Sequence, residues 1–297
     1  MFDFRLQVFQ TVAKRLNFTK AAAELFITQP AVTKHIHELE HQFKVKLFDR
    51  KGSGIQLTPA GEILLHHTEQ IFAAYRNMEF EMSHFSQKPK GKLRLGASTT
   101  VAQYVLPPAL AAFHKKFTDV KISLIAHNTE AIESALLNNE IDLGVIEGRS
   151  KNSSIKYSEF IKDEIVLVAS DKNMLAKKGL IEPSDLKKIP LLLREPGSGT
   201  LEVIAHALKP LGIKISDLKI EMQMAGTESM KSYLLHSDCM AFVSIHSVLN
   251  ELKQNQIRIV DIKGLEIERY FYFTRLHGEA QSLPDIFIQF CRHYNFR

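Results

Sequence analysis

A chain of 297 residues, 45% of them hydrophobic and 24% charged, has the composition of an ordinary globular protein with room for two or three domains. No apolar run approaches the ~20 residues a membrane span needs, and the opening MFDFRLQVFQ lacks the charged lead and apolar block of a signal peptide, so the expected location is the cytoplasm with no membrane partner. The net charge is +5, and residues 1–58 hold nine Lys/Arg against five Asp/Glu, which concentrates +4 at the end suited to a polyanion.

The first element expected is an amphipathic helix with Leu6, Phe9, Ala13 and Leu16 on one face. Asn17-Phe18 interrupts the pattern, and Thr19 is placed to cap a second helix over Lys20–Leu25. Thr28 can cap a third, with Pro30 in its first turn, where a missing N–H costs nothing. Val32, Ile36, Leu39 and Phe43 form its apolar stripe, and Gln29, Thr33, Lys34 and His37 its polar face. Only about two residues separate helices two and three. The pair reads as a helix-turn-helix with helix three as the reader of the major groove. Gln can bond adenine through both amide groups, Lys can reach guanine or phosphate, and a Thr methyl can touch thymine. A helical hairpin with a solvated face would show the same periodicity. The next segment tips the balance: strand, Gly-containing basic turn and strand over 46–58 read as a β-wing, with Arg50 and Lys51 at its tip for phosphate or the minor groove.

The run AAAELFITQPAVTKHIHELEHQFKVKLFDRKGSGIQLTPAGEILL closely resembles the signature of LysR-type transcriptional regulators, and the match covers about residues 5–65 without a gap. The resemblance implies that Gln29, Pro30, Thr33 and Lys34 lie at the groove of double-stranded DNA and that Arg50 supports the wing; with Thr28 and His37 on the same helix and Lys51 at the wing tip they make the expected DNA-binding set. Phe43-Lys44 departs from the Leu-Gly with which the family usually ends this helix. A C-cap without Gly costs about 1 kcal/mol and leaves the helix end open.

From Thr58-Pro59 a long linker helix is expected. Ala60, Leu64, His67, Ile71, Ala74, Met78 and Phe85 make a heptad-like seam. It could pair with a second chain or pack on the chain's own C-terminal half. The resemblance implies the former, a homodimer, and commonly a further tetramer. His66 and His67 diverge by about 100° around the helix, and His37 and His41 have no third ligand nearby, so no metal site is expected. Cys239 and Cys291 stand alone in apolar or helical patterns and read as buried hydrophobes.

Beyond the polar stretch Ser86–Lys92, short apolar strands alternate with helices: strands near 93–97, 121–126, 141–146, 165–169, 191–194, 219–224, 240–244, 257–261 and 270–274. The helices fall near 108–116, 130–138, 200–211, 228–235 and 284–294. Such alternation predicts parallel sheets with crossover helices in two subdomains, about 93–161 with 267–297, and 162–266. Ligands of such sheets bind at the carboxyl ends of strands. Two ends run from strand through hydroxyl residues into a helix: Ser98-Thr99-Thr100, and Ser198-Gly199-Thr200 after Arg194. Hydroxyls and free N–H groups at a helix start suit an anion, although Ser, Thr and Gly are also ordinary helix caps. Glu147 is expected in the pocket wall, and Thr227 at a fourth strand-to-helix turn. Arg194 can either add a charge to the site or pair with Glu195.

GASTT, IDLGVIEG and LREPGSGT resemble the periplasmic-binding-protein-like effector domain of LysR-type proteins, in a subgroup similar to regulators of sulfur and carbon assimilation. The expected fold is therefore an N-terminal all-α winged helix-turn-helix (1–58), a dimerising linker helix (59–88) and a C-terminal α/β effector domain (89–297). The resemblance implies a small-molecule effector, a sulfur oxyanion or small organic acid, held by Ser98, Thr99, Thr100, Ser198 and Thr200, to which the reading of the strand ends adds Glu147, Gly199 and Thr227. No other cofactor is expected, and RNA polymerase is an expected partner. No Gly-x-Ser-x-Gly elbow, dinucleotide fingerprint or metal cluster occurs, so no enzymatic activity is expected.

Overall fold

The computed structural model describes residues 3–51, 54–84, 90–148, 151–277 and 283–296. They form two compact units, Met1–Met78 and Glu79–Arg297. Gly52, Ser53 and Phe85 lie outside the described residues.

In the first unit, α1 (Phe4–Arg15), α2 (Phe18–Leu25) and α3 (Gln29–Phe43) precede a two-stranded wing, β1 (Phe48–Lys51) and β2 (Gly54–Leu57). Each helix starts on a side chain that satisfies a backbone donor: Asp3 for α1, Asn17 for α2 and Thr28 for α3. The second cap corrects the expected Thr19. Asn17 accepts from Lys20 N–H, and the helix starts two residues earlier, because an extended Asn at the break serves the same donors. The helices end on Leu16, Phe26 and Lys44, all left-handed. Lys44 at φ 57 takes the role of the Gly that the sequence lacks. Val8, Phe9, Val12, Ala21, Val32, Ile36 and Leu39 close the core with Leu47 from the wing. Leu16 is 46% and Phe43 47% exposed, so both drop out of their expected apolar stripes as chain ends rather than core. The wing strands pair antiparallel, Phe48 opposite Leu57 and Lys51 opposite Gly54.

Helix α4 (Pro59–His84) follows. A Cβ on Gly61 would stand 2.2 Å from the Leu47 carbonyl, so only glycine lets the helix start so close to the wing. Leu64 and Leu65 pack against the N-terminal core, which takes Leu64 out of the proposed seam. Ile63, Ile71, Met78 and Met82 are all at least 45% exposed. Among the described residues no helix is long and apolar enough to cross a membrane.

The second unit contains β3 (Gly91–Ser98), a π-helical turn (Val101–Val105), α5 (Leu106–Lys116), β4 (Val120–His127), α6 (Thr129–Leu137), β5 (Leu143–Glu147) and β6 (Ile155–Ser170). It continues through β7 (Leu180–Ile181), β8 (Leu191–Arg194), α7 (Gly199–Leu208), β9 (Ile220–Met224), α8 (Thr227–Leu234) and β10 (Met240–Ser244). The last elements are α9 (Leu249–Lys253), β11 (Ile257–Ile259), β12 (Asp261–Ile262), β13 (Ile267–Leu276) and α10 (Leu283–His293). Nine strands form one sheet in the order β4-β3-β5-β13-β6-β10-β8-β9, with β11 also on β6. The β3-β4, β3-β5, β8-β9 and β8-β10 pairs are parallel, as expected of crossover units. The expectation of separate parallel sheets fails in the middle. There β13 and the long β6 run antiparallel to each other and to β5 and β10. The half of β6 over 155–164 is rich in polar residues without strict alternation and was not foreseen as strand. Its pairing with β13 over Ile155–Leu276 to Ile165–Ile267 makes it one.

Two hydrophobic cores flank this central ladder. One joins Leu93, Leu95, Phe113, Leu143, Phe271, Phe273 and Phe287. The other joins Ile165, Leu167, Leu191, Ile204, Phe242 and Ile267. Both strands therefore pass from one core to the other, β6 between Ile161 and Ile165 and β13 between Ile267 and Phe271. Cys291 lies in the first core and Cys239 in a third group beside α8, both buried and free. Burial pushes the Cys291 thiol up to about 12, so neither sequence position nor environment makes it a nucleophile.

Candidate functional site

On α3 the residues singled out in the sequence form one outward surface. Thr28, Gln29, Pro30, Lys34 and His37 are exposed and Thr33 is half-buried. Gln29 and Thr33 hold each other: Gln29 Nε2 donates to Thr33 Oγ1 at 2.9 Å, and that hydroxyl donates to the Gln29 carbonyl at 3.2 Å. This fixes the amide one turn into the helix, at the end that carries the partial positive charge of the dipole. Lys34, 76% exposed, lies 3.9 Å from Glu38, a contact too long and too wet to hold it back from a phosphate. Arg50 and Lys51 end β1 at the turn of the wing.

Glu40 was not foreseen. Its carboxylate, at the buried end of α3, accepts from Leu47 N–H at 2.9 Å and Lys46 Nζ at 3.0 Å, with His37 Nδ1 at 3.3 Å. Burial alone would raise its pKa, but the Leu47 N–H and the Lys46 ammonium prevail and hold it below the usual value. The contact ties α3 to the segment that leads into the wing.

In the second unit both hydroxyl loops converge, and the group they meet is Glu147. Its side chain is 2% exposed. Ser98 Oγ donates to Oε2 at 2.5 Å, and Thr200 Oγ1 and Thr100 Oγ1 donate to Oε1 at 2.9 and 3.5 Å. Thr129 Oγ1 donates to the Glu147 carbonyl at 2.7 Å. Gly199 is a point of close approach between the two subdomains. A Cβ there would meet the same carbonyl at 2.2 Å, so the backbone of α7 can approach β5 only through glycine. Asn128 Nδ2 and Glu130 N–H reach across to the carbonyls of Pro196 and Gly197, each at 3.3 Å. Arg194 takes the second of its two options and pairs with Glu195 through two hydrogen bonds of 2.8 and 2.9 Å.

The cation of the cluster is Arg269, which sequence reasoning missed. Its Nη1 donates to Thr200 Oγ1 at 2.9 Å and lies 3.5 Å from Glu147 Oε1, and its Nε donates to Asp163 Oδ2 at 2.7 Å. Asp163 is held in turn by Ser244 Oγ at 2.7 Å, with His246 Nε2 at 3.9 Å. The Arg269, Asp163 and Glu147 side chains are at most 2% exposed. A signal was available. Ile267, Arg269, Phe271 and Phe273 face inward on β13 while Glu268 and Tyr270 face outward, so an arginine stands in an apolar register. Arg269 Nη2, Ser198 Oγ and Thr99 Oγ1 are buried without a partner.

Thr227 is buried at the head of α8, and no hydrogen bond among the described residues joins it to the Glu147 cluster. The contact across the subdomains comes from its neighbour. Tyr104, on the π-helical turn, donates to Glu228, which also lies 3.0 Å from the buried Lys231. Burial, with the Glu228 carboxylate beside it, pushes the Tyr104 phenol well above its usual value. Among the described residues no group of three or more His, Cys, Asp or Glu is placed to hold a metal ion.

A reading helix with a wing, joined by a long helix to a two-subdomain α/β unit with a buried polar cluster, defines a ligand-responsive regulator that binds DNA. Residues 4–62 match the family model for the bacterial regulatory helix-turn-helix protein, lysR family, and residues 86–295 match the LysR substrate binding domain. The chain belongs to the LysR family of transcriptional regulators. It is 29% identical over 264 residues to the transcriptional regulator CysL of Bacillus subtilis, covering 89% of this chain and 87% of that one. To the RuBisCO operon transcriptional regulator of Allochromatium vinosum it is 27% identical over 278 residues, covering 94% and 91%. The Synechocystis CcmR regulatory domain in complex with 2-PG superposes with a TM-score of 0.62 at 25% identity, covering 68% of this chain and 95% of that one. Full-length CbnR complexed with its target DNA superposes with a TM-score of 0.66 at 20% identity, covering 98% and 99%, a likeness of fold.

Proposed function

We propose that this regulator reads its operator through Thr28, Gln29, Pro30, Thr33, Lys34 and His37, steadies itself with Arg50 and Lys51, and is switched by a small acid held between the effector subdomains. The observation that supports the switch is the trio of buried, unpartnered polar atoms: Arg269 Nη2, Ser198 Oγ and Thr99 Oγ1. Buried polar groups are nearly always paired, and exceptions ask for a reason. Here all three belong to segments that surround Glu147. A ligand acid group that accepted from them would join β13, α7 and the loop after β3. The other residues assigned from the sequence, Ser98, Thr100, Glu147, Gly199 and Thr200, form the wall, and Thr227 supports Glu228. That a relative's regulatory domain was solved with 2-PG supports a small ligand in this unit.

The active form is a homodimer, assembling further to a tetramer, and it acts in the cytoplasm together with RNA polymerase. The exposed apolar residues of α4, Ile63, Ile71, Met78 and Met82, are what a second α4 would cover. Two-fold symmetry then presents two reading helices to two half-sites. The effector acts only to the extent that it binds one arrangement of the subdomains more tightly than another.

Calorimetry of the full chain against sulfite, sulfate, thiosulfate and a panel of small carboxylates tests the switch. At least one acid is expected to release heat that is lost in Ser198→Ala and Thr99→Val. Silence across the whole panel would overturn the small-acid reading. Mapping the genomic fragments that the protein retains tests the DNA side, with inverted-repeat half-sites as the expected outcome.

A further inference from the structure

We propose that Glu147 is a built-in occupant of the oxyanion cradle, and that it restricts the effector to small organic monoacids and shuts out inorganic sulfur oxyanions. The inference rests on the cleft being the effector site. The cradle is made of three hydroxyls from the two strand ends, Ser98, Thr100 and Thr200. Their donors are already spent on the chain's own carboxylate: Ser98 on Oε2, Thr100 and Thr200 on Oε1. A hydroxyl has a single proton to give, so none of the three can serve a second anion without releasing Glu147.

Charge points the same way. Glu147 and Asp163 share one guanidinium, Arg269, at 3.5 and 2.7 Å, with all three side chains at most 2% exposed. Two carboxylates against one cation leave the buried cluster at −1. His246 Nε2 lies 3.9 Å from Asp163 on the side away from the cradle's hydrogen bonds. A dianionic tetrahedral oxyanion placed here would face both carboxylates at short range in a poorly screening interior, with no free hydroxyl at the cradle. What stays open is narrower: the Nη2 amino group of Arg269 and the hydroxyls of Ser198 and Thr99. That set matches one carboxylate carrying one charge, attached to a carbon skeleton.

The test is sulfate binding by full-length protein, measured by calorimetry in chloride buffer at constant ionic strength, for wild type, Glu147→Asp and Glu147→Gln. Wild type and Glu147→Asp, which keep the charge, are expected to give no sulfate heat. Glu147→Gln is expected to bind sulfate at least about tenfold more tightly than the wild-type limit, the scale of one removed like-charge contact. Sulfate binding to wild type as tight as to Glu147→Gln would overturn the proposal. So would a Glu147→Gln protein that keeps its unfolding midpoint and still ignores sulfate. If Glu147→Gln does not fold, wild type decides by itself: sulfate heat that Ser198→Ala abolishes refutes the built-in occupant, while its absence alongside binding of a carboxylate supports it. The two readings fail separately. Sulfate binding that depends on Ser198 sinks the role of Glu147 but keeps the cleft, whereas a cleft that binds no acid at all sinks the effector reading whatever Glu147→Gln does.

Discussion

The two polar surfaces of this protein are built in opposite ways. On α3 the side chains proposed for DNA are exposed or, for Thr33, half-buried, and among the described residues their hydrogen bonds and ion pairs are with neighbours three or four residues away. In the effector unit they are buried, and the side-chain partners within the Glu147–Arg269–Asp163 cluster lie from 47 to 122 residues away in the chain. A surface of the first kind tolerates substitution because water replaces whatever is lost. A cluster of the second kind does not, because each member neutralises or satisfies another in a medium that water does not reach. The DNA surface should therefore show mutations that cost binding and spare folding. The cleft should show mutations that cost folding as well.

The largest effect is expected from Arg269→Met. It leaves Glu147 and Asp163 buried without their cation, and breaking such a pair costs about 3–5 kcal/mol. Chemical denaturation of the full chain should show it, and Lys at the same position should recover only part, since an ammonium cannot serve three acceptors in one plane. An unchanged midpoint would mean that the cluster is wetter than its burial implies. Gly199→Ala is expected to cost about 1–3 kcal/mol, because its Cβ would overlap the Glu147 carbonyl. Loss of effector response with retained DNA binding would mark the damage as local to the cleft.

On the other surface, Gln29→Ala should cost about 1–3 kcal/mol of discrimination at one base position with no change in unfolding. A binding isotherm on operators varied at single positions reads it directly. Lys34→Ala should weaken binding evenly across sequences and lower the salt slope by about one. A loss confined to one base would instead make Lys34 a base reader. The smallest effect concerns Glu40. Its pKa is lowered in the fold, so its contribution is fully present above the unfolded value and is lost as pH falls through the folded one. Glu40→Gln should therefore flatten the acid limb of the stability curve of the N-terminal unit. A limb that stays as steep would assign the acid sensitivity to other carboxylates.

The same contrast explains what could be read in advance. The three helices, the wing and the polar face of α3 follow from local signals: caps, a 3.6-residue stripe and a two-strand turn. The misreadings there are those of chain ends, Asn17 in place of Thr19 as a cap and Leu16 and Phe43 exposed at helix ends. Most strands of the effector unit were also visible as short apolar runs, with β8 and β10 at their expected bounds. The polar half of β6 was not, since its strand character comes from its partner β13. Arg269 was overlooked for a related reason: one arginine among alternating apolar residues gains its meaning only from what lies opposite.

The amino-acid sequence by itself determined the helix-turn-helix and the two hydroxyl-bearing strand ends, because these rest on periodicity, capping and backbone chemistry within a few residues, and the family, through the resemblance of its motifs. Only the tertiary structure decided what those hydroxyls hold. Glu147, Arg269 and Asp163 come from three strands, and their charges acquire partners only when β5, β6 and β13 lie side by side in one sheet. Long-range electrostatics in a buried site depends on distance in space, and the order of residues along the chain does not encode it until the strands have paired.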